Sequence, residues 1–470
     1  MGSAIAGAAN WQLRLLSLAV ALLCAACAAC AGLPARPPAG AASDLPADTA
    51  PVRQDGLSPA FATVQQRLAL QAQVVQIVGE RYFDPQFGGV DWPAVGQRYA
   101  EPAAAAATDA ELYLVLKTMV RELNDSHTRV LTPLESLDRR RYATQTTGAA
   151  LAVVEGRLAV MDVDADSPAA RAGLRRGDVI TAIDDHVFDQ AFFTAALTQP
   201  LPRPDIASLE AAPALADEIV RYRQLRAVRQ VLLRSPDAPP PTSRFSVERA
   251  GKRHEVVVGS APLVRPPEVR VLRLRSGVAV LRLNHFTASY RNELARALRS
   301  VADAPALVID LRGNPGGDYG QYLWMAQQFL DAERSPLTLV TRSGSAQRRR
   351  EVEIAAGEQP YLKPLAVLLD RRTASAAELL AVTLFEQRGA LLVGESSCGC
   401  VVGVRSEFIL PGGGGLRVAE TGFVSAGGRR LEGQPLLPTH YVPPTLADLQ
   451  ADRDRALAVA ERALLGQPTH

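Results

Sequence analysis

Lysine is nearly absent from this chain of 470 residues. Only Lys117, Lys252 and Lys363 are lysines, and the other 48 of the 51 basic residues are arginines. Acidic residues number 49, so the formal net charge is +2. A nucleic-acid-binding protein needs a concentrated basic face, which this balance does not favour. Any chemistry that depends on a lysine side chain has only three candidates.

Cysteine is also scarce. Its five residues form two groups, Cys24, Cys27 and Cys30 near the N-terminus and Cys398 and Cys400 far downstream. Such spacing does not provide the disulfide framework of a small secreted domain. No spacing of cysteine or histidine matches a metal site, and we expect no cofactor. The downstream pair could form a bridge, remain as thiols or simply pack, and a thiol-dependent activity there is a minor alternative.

Long apolar runs are missing too, apart from one short run near the N-terminus. Arg14 precedes the apolar residues 15–23, a run shorter than the roughly 20 residues that span a bilayer. A basic flank, a short apolar core and small residues behind it predict a secretory signal over residues 1–30. The residues before Cys27 resemble a bacterial lipobox, and Cys30 is a second candidate. We expect an exported cell-envelope protein anchored by a lipid on Cys27, with simple cleavage as the alternative.

Hydrophobic residues make up 47% and charged residues 21% of the chain, which is ordinary globular composition. At about 150 residues per domain, the length suggests three domains. Changes of pattern divide the chain into successive parts: an export signal at 1–30, a Pro- and Ala-rich linker at 31–57, a helical domain at 58–140, a strand-rich domain at 141–265, an α/β core at 266–448 and a final helix at 449–470.

The helical domain has apolar residues three and four positions apart, which predicts amphipathic helices. One of these helices starts with Asp109, near its N-cap, and ends before the turn-forming residues 124–128, N-D-S-H-T. We therefore expect His127 just beyond a helix end.

From Gly148 the apolar period changes to that of strands. The run D-S-P-A-A-R-A-G-L-R-R-G-D at 166–178 resembles the PDZ family, which binds an extended peptide as an added strand at a sheet edge. The run F-S-V-E-R-A-G-K-R-H-E-V-V-V at 245–258 is predicted to be the closing strand. An insertion at 195–243 with a helical middle could cover the groove, and a closed PDZ-like spacer is the alternative. The resemblance places the loop for a peptide's terminal carboxylate at Gly148, Ala149, Ala150 and Leu151.

From about residue 268, strands and helices alternate, which predicts a layered α/β core. The motif D-L-R-G-N-P-G-G at 310–317 follows a buried strand, and its glycines allow close backbone approach to a ligand. It lacks the phosphate-loop pattern. A tight strand-to-helix turn without further function is an equal alternative.

Ser375 opens a helix after another apolar strand, where unpaired amides and the helix dipole suit a developing oxyanion. The pattern Ser375-x-x-Glu378 is also a helix capping box, and alone it more often has that role. A third motif, E-S-S-C-G-C at 395–400, follows the next strand.

In combination and order, these motifs resemble the C-terminal processing (tail-specific) peptidases of serine peptidase family S41. The resemblance covers roughly residues 60–448 and implies a multidomain α/β fold with an N-terminal helical segment, a PDZ domain and a layered peptidase core like that of ClpP and crotonase. It implies a serine peptidase with Ser375 as nucleophile. The oxyanion donors would be the amides of Gly316 or Gly317 and of Ala376.

The chain departs from the tail-specific pattern at the general base. Those peptidases have a lysine 25 residues after the serine, where this chain has Cys400. A second branch, resembling the tricorn core protease, uses the histidine of a D-[GS]-H-[TS] motif, which Asp125-Ser126-His127-Thr128 matches. The resemblance then implies His127 as base, oriented by Ser126 and a glutamate, for which Glu432 is the best match. Since histidine is a common base near neutral pH, this chemistry is sound.

The sequence thus predicts an exported endopeptidase that acts on peptides or proteins, with C-terminal segments as one route of recognition, and that does not bind nucleic acid. The rival is a non-catalytic envelope scaffold that binds peptides through the PDZ domain. The remaining histidines match no catalytic pattern: His186, His254, His285, His440 and His470.

Overall fold

A computed structural model describes residues 60–140, 143–198, 220–221, 223–228, 242–264 and 266–468. The predicted export signal, Cys27 and the linker lie outside the described residues, as does most of the insertion at 195–243. Residues Pro59–His470 form one compact unit. No helix among the described residues combines the length and apolar character needed to cross a membrane.

The N-terminal part is helical, as predicted. Thr63 and Thr108 cap the first and third helices by accepting hydrogen bonds from backbone amides, and the third helix begins at Asp109, as predicted. The chain leaves that helix through a turn containing His127 before a short strand. The helices are Val64–Arg81, Trp92–Ala105, Asp109–Arg121 and Pro133–Arg140.

These helices share their core with residues far along the chain. Leu112, Leu116 and Met119 pack in the same apolar cluster as Leu416 and Val418. The short strand Arg129–Leu131 pairs with Gly415–Arg417, which in turn pairs with Glu407–Ile409. The segment that holds His127 is therefore fixed to the C-terminal part of the chain.

The second region is built on a six-stranded antiparallel sheet. The strand-like period from Gly148 corresponds to a hairpin, a short helix and a following strand. The prediction of a single closing strand at 245–258 is wrong, because the turn at Ala250 and Gly251 folds that run into two strands. Strand Ala149–Val154 lies at one edge and pairs only with the next strand within the described residues. The main strands in spatial order are Ala149–Val154, Arg157–Val163, Val179–Ile183, Thr242–Arg249 and Lys252–Gly259. The short strand His186–Val187 pairs with the third of these. The helices of this region are Pro168–Arg171 and Gln190–Leu197.

The third region has the predicted layered architecture. Five parallel strands and one antiparallel edge strand form a sheet, and large apolar side chains such as Tyr322 and Phe329 pack on one of its faces. The C-terminal helices are Leu446–Gln450 and Arg455–Leu464, and the second of these packs through Val459 and Ala460 in a separate apolar cluster with Val308 and Leu368. In spatial order the strands are Val269–Arg273, Ala279–Leu283, Leu307–Asp310, Leu365–Leu369, Leu391–Gly394 and His440–Tyr441; the helices beside them are Arg291–Ser300, Tyr319–Gln327 and Ala376–Arg388.

The sequence did not predict a further antiparallel sheet in this region. Its outer strand Ala346–Ile354 is mostly exposed and rich in arginine, so it lacks a clear apolar alternation. The four strands in order are Ala346–Ile354, Arg334–Ser343, Thr421–Ser425 and Val402–Gly403, the last two only five and two residues long.

The common core leads to a stability prediction. Leu116→Ala removes a fully buried side chain and should lower the free energy of unfolding by about 2–5 kcal/mol. Leu114→Ala, on the same helix but 45% exposed, is the matched control and should change it by less than about 0.5 kcal/mol. Urea unfolding followed by circular dichroism measures both. Equal effects of the two substitutions would contradict the shared core.

Candidate active site

The three core motifs meet at one edge of the parallel sheet. Asp310 ends one strand, and the motifs at 371–378 and 395–400 begin just after the next two strands in the sheet. Because the carboxyl ends of parallel strands face the same edge, the following turns are brought together. Gly313 N donates to Asp370 Oδ1 at 2.9 Å, and Ala374 N donates to Asn314 O at 3.0 Å.

Ser375 has an unusual backbone conformation, with φ 56° and ψ −122°. A positive φ is rare for a residue with a side chain and persists only where its surroundings impose it. Here the amide of Ser375 donates to Cys400 O at 3.1 Å and to Glu378 Oε2 at 3.0 Å. Two acceptors from different parts of the core thus hold this serine at the start of helix Ala376–Arg388.

Glu378 is the centre of that arrangement. Its carboxylate is buried and accepts hydrogen bonds from Ser375 N, Ser397 Oγ, Gly399 N and Cys400 N. Burial raises the pKa of Glu378 to about 7, although the four donors act in the opposite direction. The capping pattern suspected from the sequence is present, and it also joins the helix start to the loop at 395–401.

Cys398 and Cys400 form a disulfide. Of the three possibilities left open by the sequence, the bridge is the one in the structure. Cys398 N donates to Thr373 O at 2.9 Å, and Cys400 O accepts from Ser375 N. At the position of the expected lysine, this chain therefore supplies backbone groups to the serine's turn.

None of the three lysines lies at the position where the tail-specific pattern has its lysine. Lys363 Nζ donates to three carbonyl oxygens, those of residues 302, 303 and 304, at 2.9 to 3.0 Å. Lys117 pairs with Glu135 at 2.8 Å, and Lys252 lies at the hairpin turn of the second region. No lysine therefore takes the place of the expected base.

His127 lies in the turn between helix Asp109–Arg121 and strand Arg129–Leu131, as its sequence context predicts. Asp125 Oδ1 fixes this turn by accepting from the amides of His127 and Thr128 at 2.7 and 2.6 Å. The imidazole Nδ1 is 2.6 Å from Ser126 Oγ. Ser126 Oγ in turn donates to Glu432 Oε2 at 3.0 Å.

This chain of hydrogen bonds assigns the tautomer of His127. Since Ser126 Oγ gives its proton to the Glu432 carboxylate, it accepts the proton on Nδ1 of the imidazole. The Nε2 atom then keeps its lone pair, as a general base requires. Burial, followed by the charges of Arg417, Arg129 and Arg139, lowers the pKa of His127 to about 3, which keeps the imidazole neutral.

Glu432 connects the two halves of the site. It also accepts from Ser126 N at 2.8 Å and from Val401 N at 2.7 Å, and the residue before Val401 is Cys400. The turn that holds His127 and the turn that holds Ser375 are thus attached to the same loop, one through Val401 and the other through Cys400. In the described residues no hydrogen bond joins His127 to Ser375, and catalytic hydrogen bonds often form only with substrate.

The candidate oxyanion donors differ in availability. Gly316 N already donates to Asn314 Oδ1 at 2.8 Å. Within the described residues the amides of Gly317 and Ala376 donate to no acceptor. At Gly316, φ 90°, an added Cβ would lie 2.7 Å from Ala376 N and Ser375 Cβ, so only glycine fits. The geometry leaves Gly317 and Ala376 as the free pair.

Sequence patterns missed two features of the site. His285, which matched no catalytic pattern, has its ring against Gly317, where a Cβ would lie 2.7 Å from its Cε1. The three arginines around His127 also gave no signal in the sequence. Arg139 and Arg417 are distant from it along the chain, and Arg129 joins them only when its strand pairs with that of Arg417.

The expected peptide-binding loop lies at the start of the edge strand. Gly148 has φ 82°, and a Cβ there would be 2.2 Å from Ser167 Cβ. The amides of Gly148 and Ala149 donate to the hydroxyls of Thr146 and Thr147 at 3.1 and 3.2 Å. Ala150 and Leu151 belong to the edge strand, where the pairing shifts register.

Comparison with known proteins agrees with this architecture. Residues 277–442 match the model of peptidase family S41, 160–191 that of a PDZ domain and 72–121 that of the tricorn protease C1 domain. A carboxyl-terminal-processing protease of Synechocystis sp. is 28% identical over 76% of this chain and 76% of its own length. The chloroplastic carboxyl-terminal-processing peptidase 2 of Arabidopsis thaliana is 28% identical over 82% of this chain and 70% of its own.

Two solved structures share the fold. A photosystem II D1 C-terminal processing protease superposes with a TM-score of 0.51 at 19% identity, covering 82% of this chain and 98% of its own. Mature CPAF complexed with lactacystin gives 0.62 at 14% identity, covering 85% and 98%. At these identities the likeness concerns the fold alone.

The tautomer and pKa of His127 can be measured directly. In ¹⁵N-edited spectra of histidine-labelled protein, the signals absent from His127→Asn should show a protonated Nδ1 and a bare Nε2. Because the folded-state pKa lies near 3, these signals should not titrate between pH 8 and 5. Titration near the ordinary value of about 6.5 would contradict the buried relay. The lowered pKa also makes stability fall as pH drops below about 6.5, since the unfolded chain then binds the proton first.

Proposed function

The chain belongs to peptidase family S41, and we propose that it is an exported serine endopeptidase that uses His127 to activate Ser375. The observation that carries this proposal is the relay from Glu432 through Ser126 to Nδ1 of His127. A structural turn histidine has no need of a buried carboxylate that fixes its tautomer. The same carboxylate holds Val401, which adjoins the residue that fixes Ser375.

The reaction follows from these positions. His127 Nε2 takes the proton of Ser375 Oγ while that oxygen attacks the peptide carbonyl carbon and forms a C–O bond. The amides of Gly317 and Ala376 donate to the oxyanion. The imidazolium then protonates the leaving nitrogen as the C–N bond breaks, leaving an acyl-enzyme on Ser375. Water, deprotonated by His127, releases the acyl group as a carboxylic acid and restores the serine.

Glu432 and Ser126 support this cycle by stabilising the imidazolium. When His127 takes a proton on Nε2, both its nitrogens carry protons and the Nδ1 proton remains bonded to Ser126 Oγ. The Glu432 carboxylate beyond it stabilises the positive charge without needing to accept a proton. The lysine of the tail-specific pattern is therefore dispensable here, and Cys400 serves through its backbone.

The PDZ-like domain is proposed to recruit peptides or proteins, with Gly148, Ala149, Ala150 and Leu151 as the receiving loop. Support comes from the edge of strand Ala149–Val154, beside which no further strand lies within the described residues, so an extended segment can add there. The names of the relatives suggest action on C-terminal segments. Export to the cell envelope with a lipid on Cys27 is proposed from the N-terminal sequence alone.

Active-site labelling tests the proposal. A fluorophosphonate should form one adduct on Ser375 of the exported chain, located by peptide mass spectrometry, and Ser375→Ala should remove it. His127→Ala should slow labelling by about 10²–10⁴-fold, the usual contribution of a general base. His254→Ala, which changes an exposed histidine in the second region, is the control and should label at the normal rate.

Two results would overturn the proposal. Labelling that His127→Ala leaves unchanged would exclude this histidine as the base. A folded protein that neither labels nor cleaves casein-derived peptides would instead favour a non-catalytic scaffold that binds peptides through its PDZ-like domain.

A further inference from the structure

An unusual row of charges lies beside His127. Arg129 stands directly opposite Arg417 in the three-stranded antiparallel sheet, and Arg417 stands directly opposite Glu407. Directly opposite side chains lie on the same face of a sheet, and like charges in such positions destabilise it. The neighbouring residues Val130 and Leu416 are buried on the other face, in the apolar core.

A fourth charge joins this row from the helix Pro133–Arg140. Arg139 Nε lies 3.4 Å from Glu407 Oε2, while Ser136 Oγ donates to Glu407 Oε1 at 2.6 Å. The cluster of Arg129, Arg139, Arg417 and Glu407, hereafter the arginine cluster, thus contains three cations and one anion. Its only acid is already engaged by two side chains.

Arg417 is the exceptional member of the arginine cluster. It is partly buried, yet among the described residues its guanidinium donates no hydrogen bond and forms no ion pair. Burial, with the charges of Arg139 and Arg129, lowers the pKa of Arg417 to about 10, so it still carries its charge at neutral pH. Glu407 opposite it acts in the other direction, but that carboxylate is already engaged by Ser136 and Arg139. A partly desolvated cation whose nearby acid is shared in this way is costly, and a bound anion would offset that cost.

The arginine cluster is also close to the proposed base. Arg129 Nη2 donates to the carbonyl oxygen of Ser126 at 2.8 Å, next to His127. All three arginines act electrostatically on the imidazole. The acids at His127 lie elsewhere: Asp125 at its backbone amide and Glu432 behind Ser126.

We propose that Arg417, with Arg129 and Arg139, receives a carboxylate of the peptide substrate. The inference rests on the proposed peptidase function and specifies its substrate class. A guanidinium fork matches a carboxylate with two parallel hydrogen bonds, and Arg417 has its donors free. The carboxylate comes either from an acidic side chain near the scissile bond or from the terminus of the substrate.

Such a carboxylate also favours the chemical step. Three nearby arginines disfavour the imidazolium that His127 becomes in the transition state. A substrate carboxylate between them and the imidazole offsets this repulsion, so it stabilises the transition state more than the ground state. An acidic substrate should therefore raise kcat as well as lower KM.

Cleavage of matched peptides tests the inference. Fluorogenic peptides carry Glu or Gln at each position near the scissile bond, each as a free acid and as a C-terminal amide. The wild-type enzyme should cleave one carboxylate-bearing form with a kcat/KM about tenfold or more above its neutral match, as one charged hydrogen bond allows. Arg417→Gln should reduce this ratio below about threefold.

The control is Arg270→Gln. Arg270 also stands opposite an arginine, Arg282, in an antiparallel pair, and is 69% exposed, but it lies in the edge strand of the core sheet. It should keep the wild-type ratio. Should Arg417→Gln fail to fold by circular dichroism, Arg139→Gln, at a side chain 51% exposed, replaces it and should lower the ratio in the same direction.

The peptide series separates the two sources of the carboxylate. A preference for Glu among the amidated peptides identifies an acidic side chain, whereas a preference for free acids alone identifies the terminus. Gly148→Ala places a Cβ against Ser167 and so disturbs the carboxylate loop of the PDZ-like domain. If the preference for a free C-terminus disappears in Gly148→Ala but survives in Arg417→Gln, that preference belongs to the PDZ-like domain and the inference is wrong. Equal cleavage of acidic and neutral peptides by the wild type also overturns it.

A binding measurement keeps the inference testable if no peptide is cleaved. Fluorescence anisotropy of the same peptides with Ser375→Ala compares Kd for each Glu and Gln pair, and the additional Arg417→Gln change should abolish the difference. No cleavage together with an Arg417-dependent Kd ratio would reject the peptidase but retain the carboxylate site. Equal Kd values for both peptides would reject the site.

Discussion

The site depends on the hydrogen bonds that the buried carboxylate of Glu432 accepts. This carboxylate accepts hydrogen bonds from the backbone and hydroxyl of Ser126 and from the amide of Val401, joining positions 306 residues apart in sequence. A buried charge is tolerated only where donors surround it, so these contacts must be made together. Through them the N-terminal turn with His127 is held to the core loop that fixes Ser375.

A second buried carboxylate, that of Glu378, joins the loop at 395–401 to the start of the helix that follows Ser375. Its four donors include Ser375 N and Cys400 N, and they hold the serine in a conformation that an isolated residue would avoid. The loop between the two carboxylates is closed by the Cys398–Cys400 disulfide. With the backbone of Cys400 in this role, a histidine from another part of the chain can take the place of a lysine. Under the proposed function, the arrangement explains how this fold accommodates a histidine base.

Much of this could be predicted from the sequence, because the decisive signals are local. Alternating strands and helices predicted the layered core, and the order of the motifs at 310–317, Ser375–Glu378 and 395–400 identified the residues of the site. The turn-forming residues around His127 predicted its place after a helix. Glu432 was identified through a motif match, and its contacts depend on a fold that brings distant segments together.

Other features depend on tertiary contacts and could not be predicted. The amide of Gly316 donates to Asn314, whereas that of Gly317 has no acceptor in the described part of the chain, and no spacing distinguishes the two glycines. Arg417, which has no hydrogen bond or ion pair among the described residues, becomes noticeable only when its strand pairs with Arg129–Leu131. The Arg-rich hairpin at 334–354 lacks the alternation that would have identified its strands. The shared core of the helical region and residues 402–424 likewise has no local signature.

The most direct test of the relay is the pre-steady-state rate at which a fluorophosphonate phosphonylates Ser375, with loss of fluoride, in Glu432→Gln. The relay predicts a rate about 10²-fold or more below wild type at neutral pH, since the amide cannot stabilise the imidazolium. Glu420→Gln, at a buried glutamate paired with Arg81, is the matched control and should react at the normal rate. A folded Glu432→Gln protein that reacts within about twofold of wild type would contradict the relay.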